Sequence, residues 1–154
     1  MPMRFVTSVE GLIGEIKQAT GQIRKALNDQ MEAEAIKVRD IARDMVPELA
    51  GDVSRAITVE NAGLRRKWVV YVNENEPTTR SKYKRGGGAW TVGEYMTWLH
   101  DYPFYNLGPL SQAKQARVRY RVGPKYLERA FQQRTSTGLI GRLTAAARRL
   151  GILN

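Results

Sequence analysis

From position 9 to position 45 of this 154-residue chain, apolar residues recur mostly in steps of three and four. They are Val9, Leu12, Ile13, Ile16, Ala19, Ile23, Leu27, Met31, Ala35, Val38, Ala42 and Met45. That period puts them on one stripe of an α-helix. Thr7 supplies an N-cap, and Glu10 sits where the partner of a capping box belongs. Pro47 ends the run, because a proline disfavours helical geometry at the residue before it. The spacing therefore predicts one helix over 7–46. At the α-helical rise it would be about 60 Å long, more than a globule of this size covers. Either it breaks near Thr20-Gly21, or its first half is an arm that packs on another chain.

The remaining elements are short. Ala56–Val59 alternates as a strand does, Ala62-Gly63 is turn material, and Trp68–Val72 is a second strand, which together predict a hairpin. A stretch without apolar periodicity follows (NENEPTTRSKYKRGGG), predicting a mobile loop over about 73–89. Thr91 and Glu94 form a second capping box, with Trp90 and Tyr95 spaced as a hydrophobic staple. Val92, Tyr95, Met96 and Leu99 are the inner face of that helix. Tyr102–Leu110 reads as an aromatic loop. Arg117–Val122 alternates strictly and predicts a third strand, with Val118, Tyr120 and Val122 on one face and three arginines on the other. Pro124 is placed to open a helix whose Leu127, Ala130 and Phe131 face inward. The run 135–138 (TSTG) breaks it, and a C-terminal helix over about 138–151 follows, with Leu139, Leu143, Ala147 and Leu150 as its apolar stripe. There are no internal repeats. Residues 1–154 read as a single α+β domain: a long N-terminal helix packed on a small antiparallel β-sheet, with two to three further helices.

Charge is distributed unevenly. The chain carries +10 overall, with −2 in residues 1–61, +3 in 62–111 and +9 in 112–154. A basic end of this kind meets nucleic acid, meets an acidic protein, or meets the acidic front of the next copy. The first two readings both point to the basic side chains Arg80, Lys82, Lys84 and Arg85 of the loop and to Arg117, Arg119 and Arg121. Tyr83 and Trp90 lie close enough in sequence to stack on bases. No apolar run reaches the roughly 20 residues of a membrane span, the N-terminus makes a poor signal peptide, and a cytoplasmic setting is expected.

Residues suited to catalysis are scarce. The chain has no cysteine, which removes disulfides, thiolate metal sites and cysteine nucleophiles. Its one histidine, His100, stands beside Asp101. The pair has the make-up of a general base with an orienting carboxylate, or of a histidine that ends a helix. No G-x-S-x-G serine accompanies it, and one histidine makes no metal cluster. Glu94 and Asp101 are a possible carboxylate pair, but capping accounts for Glu94. Gly86-Gly87-Gly88 lacks the spacing of a phosphate loop. No catalytic residue, metal or cofactor is expected. The aromatic loop is the other candidate surface, with Tyr102, Phe104, Tyr105 and Leu107 as anchors for a partner.

Several pieces occur together in a familiar order. They are IARDMVP (41–47), GDVSRAITV (51–59), WVVYV (68–72), YMTWLHDYPFYNLGPLS (95–111) and VGPKYLERAF (122–131). The set resembles the phage tail-completion or neck proteins, a head–tail joining family often labelled minor capsid or minor tail proteins. The resemblance implies an α+β virion subunit without enzymatic activity. Such a subunit is assembled in the host cytoplasm into a sixfold or twelvefold ring. The ring sits between portal and adaptor on one side and the tail terminator or tail tube on the other, and it completes the DNA channel with non-specific contact to the genome. The long 73–89 segment and the extra C-terminal helix depart from the family pattern. The alternative is a nucleic-acid-binding module using the Arg117, Arg119, Arg121 stripe and the Arg80–Arg85 loop.

Overall fold

One long helix with a buried inner face organises the molecule. The computed structural model describes residues 21–48, 52–63, 67–76, 91–101 and 106–151. Helix α1 (Gly21–Met45) is the longest element, and the apolar stripe read from the sequence is its inner face. Leu27, Met31, Ala35, Val38, Ala42 and Met45 are all buried. The part of the expected helix before Gly21, and with it the expected break at Thr20-Gly21, lies outside the described residues.

After Pro47 the chain makes a short helix that the alternating pattern concealed, α2 (Asp52–Ala56). Ala56 therefore closes a helix rather than opening a strand. The hairpin begins one residue later, with β1 (Ile57–Asn61) and β2 (Trp68–Val72) antiparallel and Ile57 opposite Val72, Val59 opposite Val70 and Asn61 opposite Trp68. The Trp68 indole Nε1–H donates to Asn28 Oδ1 at 3.2 Å and ties the hairpin to α1. The first residues of the expected 73–89 loop are a defined turn. Asn73 N–H donates to Ala56 O at 2.7 Å, and Asn75 N–H to Asn73 Oδ1 at 3.1 Å. Residues 77–90 lie outside the described set.

Helix α3 (Val92–Asp101) starts as its residues predict. Thr91 Oγ1 accepts from Glu94 N–H at 3.1 Å, and Glu94 Oε2 accepts from Thr91 N–H at 3.2 Å. Val92, Met96 and Leu99 are buried and Tyr95 is half-buried. The staple residue Trp90 is outside the described residues. Helices α4 (Pro109–Gln115), α5 (Tyr126–Ser136) and α6 (Leu139–Arg149) complete the order. The fold is α+β: six helices and a two-stranded antiparallel sheet among the described residues, with α1 packed on the hairpin, on α5 and on α6.

Three local expectations need correction. Arg117–Val122 is not a strand; it runs as turn and bend between α4 and α5. The helix after Gly123 does not begin at Pro124. Lys125 adopts the left-handed conformation (φ 55°, ψ 30°), which no helical residue has, so α5 opens at Tyr126. The aromatic loop is shorter than Tyr102–Leu110, because Pro109 and Leu110 already belong to α4. By contrast, the break before the last helix is where the sequence puts it. Gly138 takes a left-handed conformation (φ 88°) that a side chain would resist, and it joins α5 to α6.

One charged group lies in the interior. Glu34, on the inner face of α1, is only 1 % exposed. Two arginines grip its carboxylate: Arg134 Nε at 2.7 Å and Nη2 at 3.0 Å from α5, and Arg142 Nε at 2.9 Å and Nη2 at 3.1 Å from α6. Gln30 Nε2 adds a fifth bond at 3.2 Å. Burial by itself raises the Glu34 pKa, but the hydrogen bonds and charges of Arg134 and Arg142 outweigh it and hold the group below the ordinary carboxylate value of 4.5. A carboxyl with a lowered folded pKa stabilises fully above its unfolded pKa, and that contribution is lost as pH falls through the folded one. Glu34→Ala should destabilise the chain by about 3 kcal/mol in urea unfolding at neutral pH, since two guanidiniums lose their counter-charge. The gap between variant and parent should narrow as pH is lowered below 4.5; a gap independent of pH would mean that packing, not charge, does the joining.

Candidate contact surface

The arginines at positions 117, 119 and 121 form an outward row although no sheet carries them. Arg117, Arg119 and Arg121 are exposed, Val118 and Tyr120 half-buried, and Val122 buried. The in–out alternation that suggests a strand is therefore real. What is missing is the neighbouring strand, and a side chain stands in for it. The Gln115 amide, at the end of α4, donates from Nε2 to Tyr120 O at 3.2 Å and accepts from Val122 N–H at 2.7 Å through Oε1. A primary amide offers one donor and one acceptor side by side, as a strand edge does. Arg129 of α5 secures the other end, donating from Nη1 to Pro124 O at 3.0 Å and from Nη2 to Arg121 O. Among the described residues no carboxylate forms an ion pair with any of the three row arginines.

Helix α4 holds this segment against the end of α1. The last carbonyls of a helix have no partner within it, and here the end is buried. Lys114 Nζ donates to Arg43 O, to Val46 O at 2.9 Å, to Glu48 Oε2 at 3.2 Å and to Ser54 Oγ at 3.1 Å. Gly123 N–H donates to Met45 O at 2.9 Å. Ser111 closes the turn beyond Pro47, accepting from Glu48 N–H at 2.8 Å and donating to Glu48 O at 3.2 Å. Arg43 itself reaches the hairpin, with Nε at 3.1 Å and Nη2 at 2.8 Å from Ile57 O. Burial lowers the Lys114 pKa, and the Glu48 carboxylate restores part of the loss.

Sequence periodicity missed α4 for a physical reason. Its inward side chains, Ser111, Lys114 and Gln115, are polar, so the helix has no apolar stripe to reveal it. The one available signal is their spacing of three and four, which shares a helical face.

The remaining predicted residues fall as follows. Leu107 is half-buried, and its carbonyl accepts from Gln112 Nε2 at 2.8 Å. Tyr102, Phe104 and Tyr105 lie outside the described residues, as do Arg80, Lys82, Lys84 and Arg85. His100 ends α3 with Nδ1 2.9 Å from Asp101 Oδ1 and the ring edge-on to Tyr126, centroids 5.2 Å apart. Its Nε2 is buried and has no partner among the described residues. A general base needs that nitrogen open to a substrate, and here it faces the interior. The hydrogen bond from His100, aided by the charge of Lys125, lowers the Asp101 pKa. Tyr126 completes the corner: its hydroxyl donates to Met96 O at 3.1 Å, and Lys125 N–H donates to His100 O at 3.1 Å. Among the described residues no group of three or more His, Asp or Glu could hold a metal ion, and no helix is long and apolar enough to cross a membrane.

No family model, curated protein or solved structure matches the chain. Gln115→Ala should leave the global fold intact and free the arginine segment. Amide exchange at Val122 should accelerate about tenfold, the loss of roughly one hydrogen bond, while amides of α1 keep their protection. Unchanged exchange at Val122 would show that the Gln115 amide does not hold the segment.

Proposed function

We propose that this protein is a structural subunit of a phage neck, forming a ring between the portal–adaptor complex and the tail and completing the DNA channel. One observation carries the reading. Four of the five sequence pieces that resemble the tail-completion proteins, separated by up to some eighty residues, meet at a single joint, the C-terminal end of α1. IARDMVP contributes the Arg43 and Met45 carbonyls, GDVSRAITV the Ser54 hydroxyl and the Ile57 carbonyl, LGPLS the Ser111 hydroxyl, and VGPKYLERAF the Gly123 N–H. Residues that match in order along the chain and converge in space are a folding unit, which is what a resemblance of scaffold rather than of catalytic site would consist of. The only histidine, buried at Nε2, supports a structural role over an enzymatic one.

Sedimentation and electron microscopy of the purified chain, alone and with tailless heads and headless tails, test the proposal. Rings, or a requirement for the chain in joining heads to tails, are expected. A strict monomer that joins neither would reject the reading.

The exposed arginine row favours a second reading, a duplex-binding module. In that case affinity falls steeply with salt, and replacing Arg117, Arg119 and Arg121 by Ala should lower the slope of log affinity against log salt by about 3. Weak binding with an unchanged slope would exclude it.

A further inference from the structure

Opposite in sign to the arginine row is a groove of about 550 Å³ between the turn after β2 and the outer side of α3. Its wall includes the Trp98 indole, 38 % exposed, which stacks on Tyr95 with ring centroids 6.1 Å apart and planes inclined by 24°. Three carboxylates border it: Glu74 from the turn, and Glu94 and Asp101 from α3. All three are exposed residues. Glu94 also serves the capping box, and Asp101 is shared with His100 and, at 3.8 Å, with Lys125. Gly93 brings the two walls together. A Cβ there would lie 2.7 Å from Glu74 Cβ, so the turn sits on the helix only because position 93 has no side chain.

An aromatic ring beside carboxylates is a receptor for a guanidinium. The planar cation stacks on the ring while its N–H groups reach the carboxylates. An ammonium, with a compact charge and no planar face, fits less well. The same chain exposes three arginines in one row, each without a described carboxylate partner. The chain as a whole carries +10, so two copies repel at long range, and a copy-to-copy contact needs a place where the sign is locally reversed.

We propose that this groove receives the Arg117–Arg121 row of a second copy of the chain. Donor and receptor are different patches of one surface, so the contact passes from copy to copy and suits a ring. The proposal rests on the ring-subunit reading and names the contact that would build it.

Charge exchange tests it, with the full chain followed by sedimentation velocity at low and high salt. The unsubstituted chain should self-associate at low salt and dissociate as salt screens the contact. Arg119→Glu and Glu74→Arg should each weaken association by about tenfold or more, the cost of placing like charges together. The double variant Arg119→Glu/Glu74→Arg should restore it. Trp98→Ala should weaken it about threefold, and Arg119→Lys should weaken it measurably with charge unchanged. Arg121→Glu repeats the test on the row alone, with no change to the turn beside Gly93, and thermal melts check that each variant is folded. A chain that stays monomeric at low salt, single reversals that associate like the parent, or a double variant that is not restored would each overturn the proposal. The two readings fail separately. Charge-sensitive self-association by a chain that joins no heads to tails removes the neck, and a neck ring indifferent to both reversals removes this contact.

Discussion

A helix that ends inside a protein leaves carbonyl oxygens that water cannot reach, and the way this chain answers them shapes most of what surrounds α1. The Lys114 ammonium serves Arg43 O and Val46 O, and the Gly123 amide serves Met45 O. Those donors come from about 70 residues further along the chain. Supplying them requires α4 to lie against the Pro47 turn and requires the segment after it to cross the end of α1. That crossing turns Val122 inward and leaves the arginines outward. The exposed row is thus a by-product of closing a helix end, stiffened by Gln115 and Arg129.

The other end of the packing is governed by charge. Glu34 lies where the stripe of α1 meets α5 and α6, and its two arginine partners come one from each helix. A buried carboxylate is costly without such partners, so the three helices are constrained to one arrangement. Arg142 also donates to Arg134 O at 2.8 Å and to Thr137 O at 2.6 Å, which braces the left-handed corner at Gly138. Part of the strongly basic C-terminal third is engaged in this way within the fold. Lys114, Arg129, Arg134 and Arg142 all bind backbone or carboxylate oxygens, while Arg117, Arg119, Arg121, Lys125, Arg148 and Arg149 are exposed. A net charge read from sequence overstates the surface available to a partner.

Function rests on which polar groups are used up and which are left. His100, the residue that first suggests catalysis, is committed to Asp101 and Tyr126 at the corner of α3 and α5. The capping carboxylate Glu94 and the helix-end Asp101 have a second exposure, on the Trp98 groove. The arginine row and the acidic Trp98 groove are the two charged patches on which the proposed contact between copies rests.

The apolar stripe from Leu27 to Met45, the stop at Pro47, the hairpin, the Thr91 capping box and the break at Gly138 were all legible in the residues. Each depends on interactions within a few positions, or on a period that one face imposes. Other features were not legible. Helix α4 buries polar side chains, so it has no hydrophobic period. Alternation over Arg117–Val122 records which side faces the core, but only a neighbouring backbone can make a strand, and here Gln115 occupies that place. Lys125 takes a left-handed conformation that its identity does not favour, held by its own N–H on His100 O. Local chemistry determined the elements and their inner faces; tertiary structure alone decided how buried carbonyls and carboxylates from distant segments were paired, because such partners have no spacing along the chain.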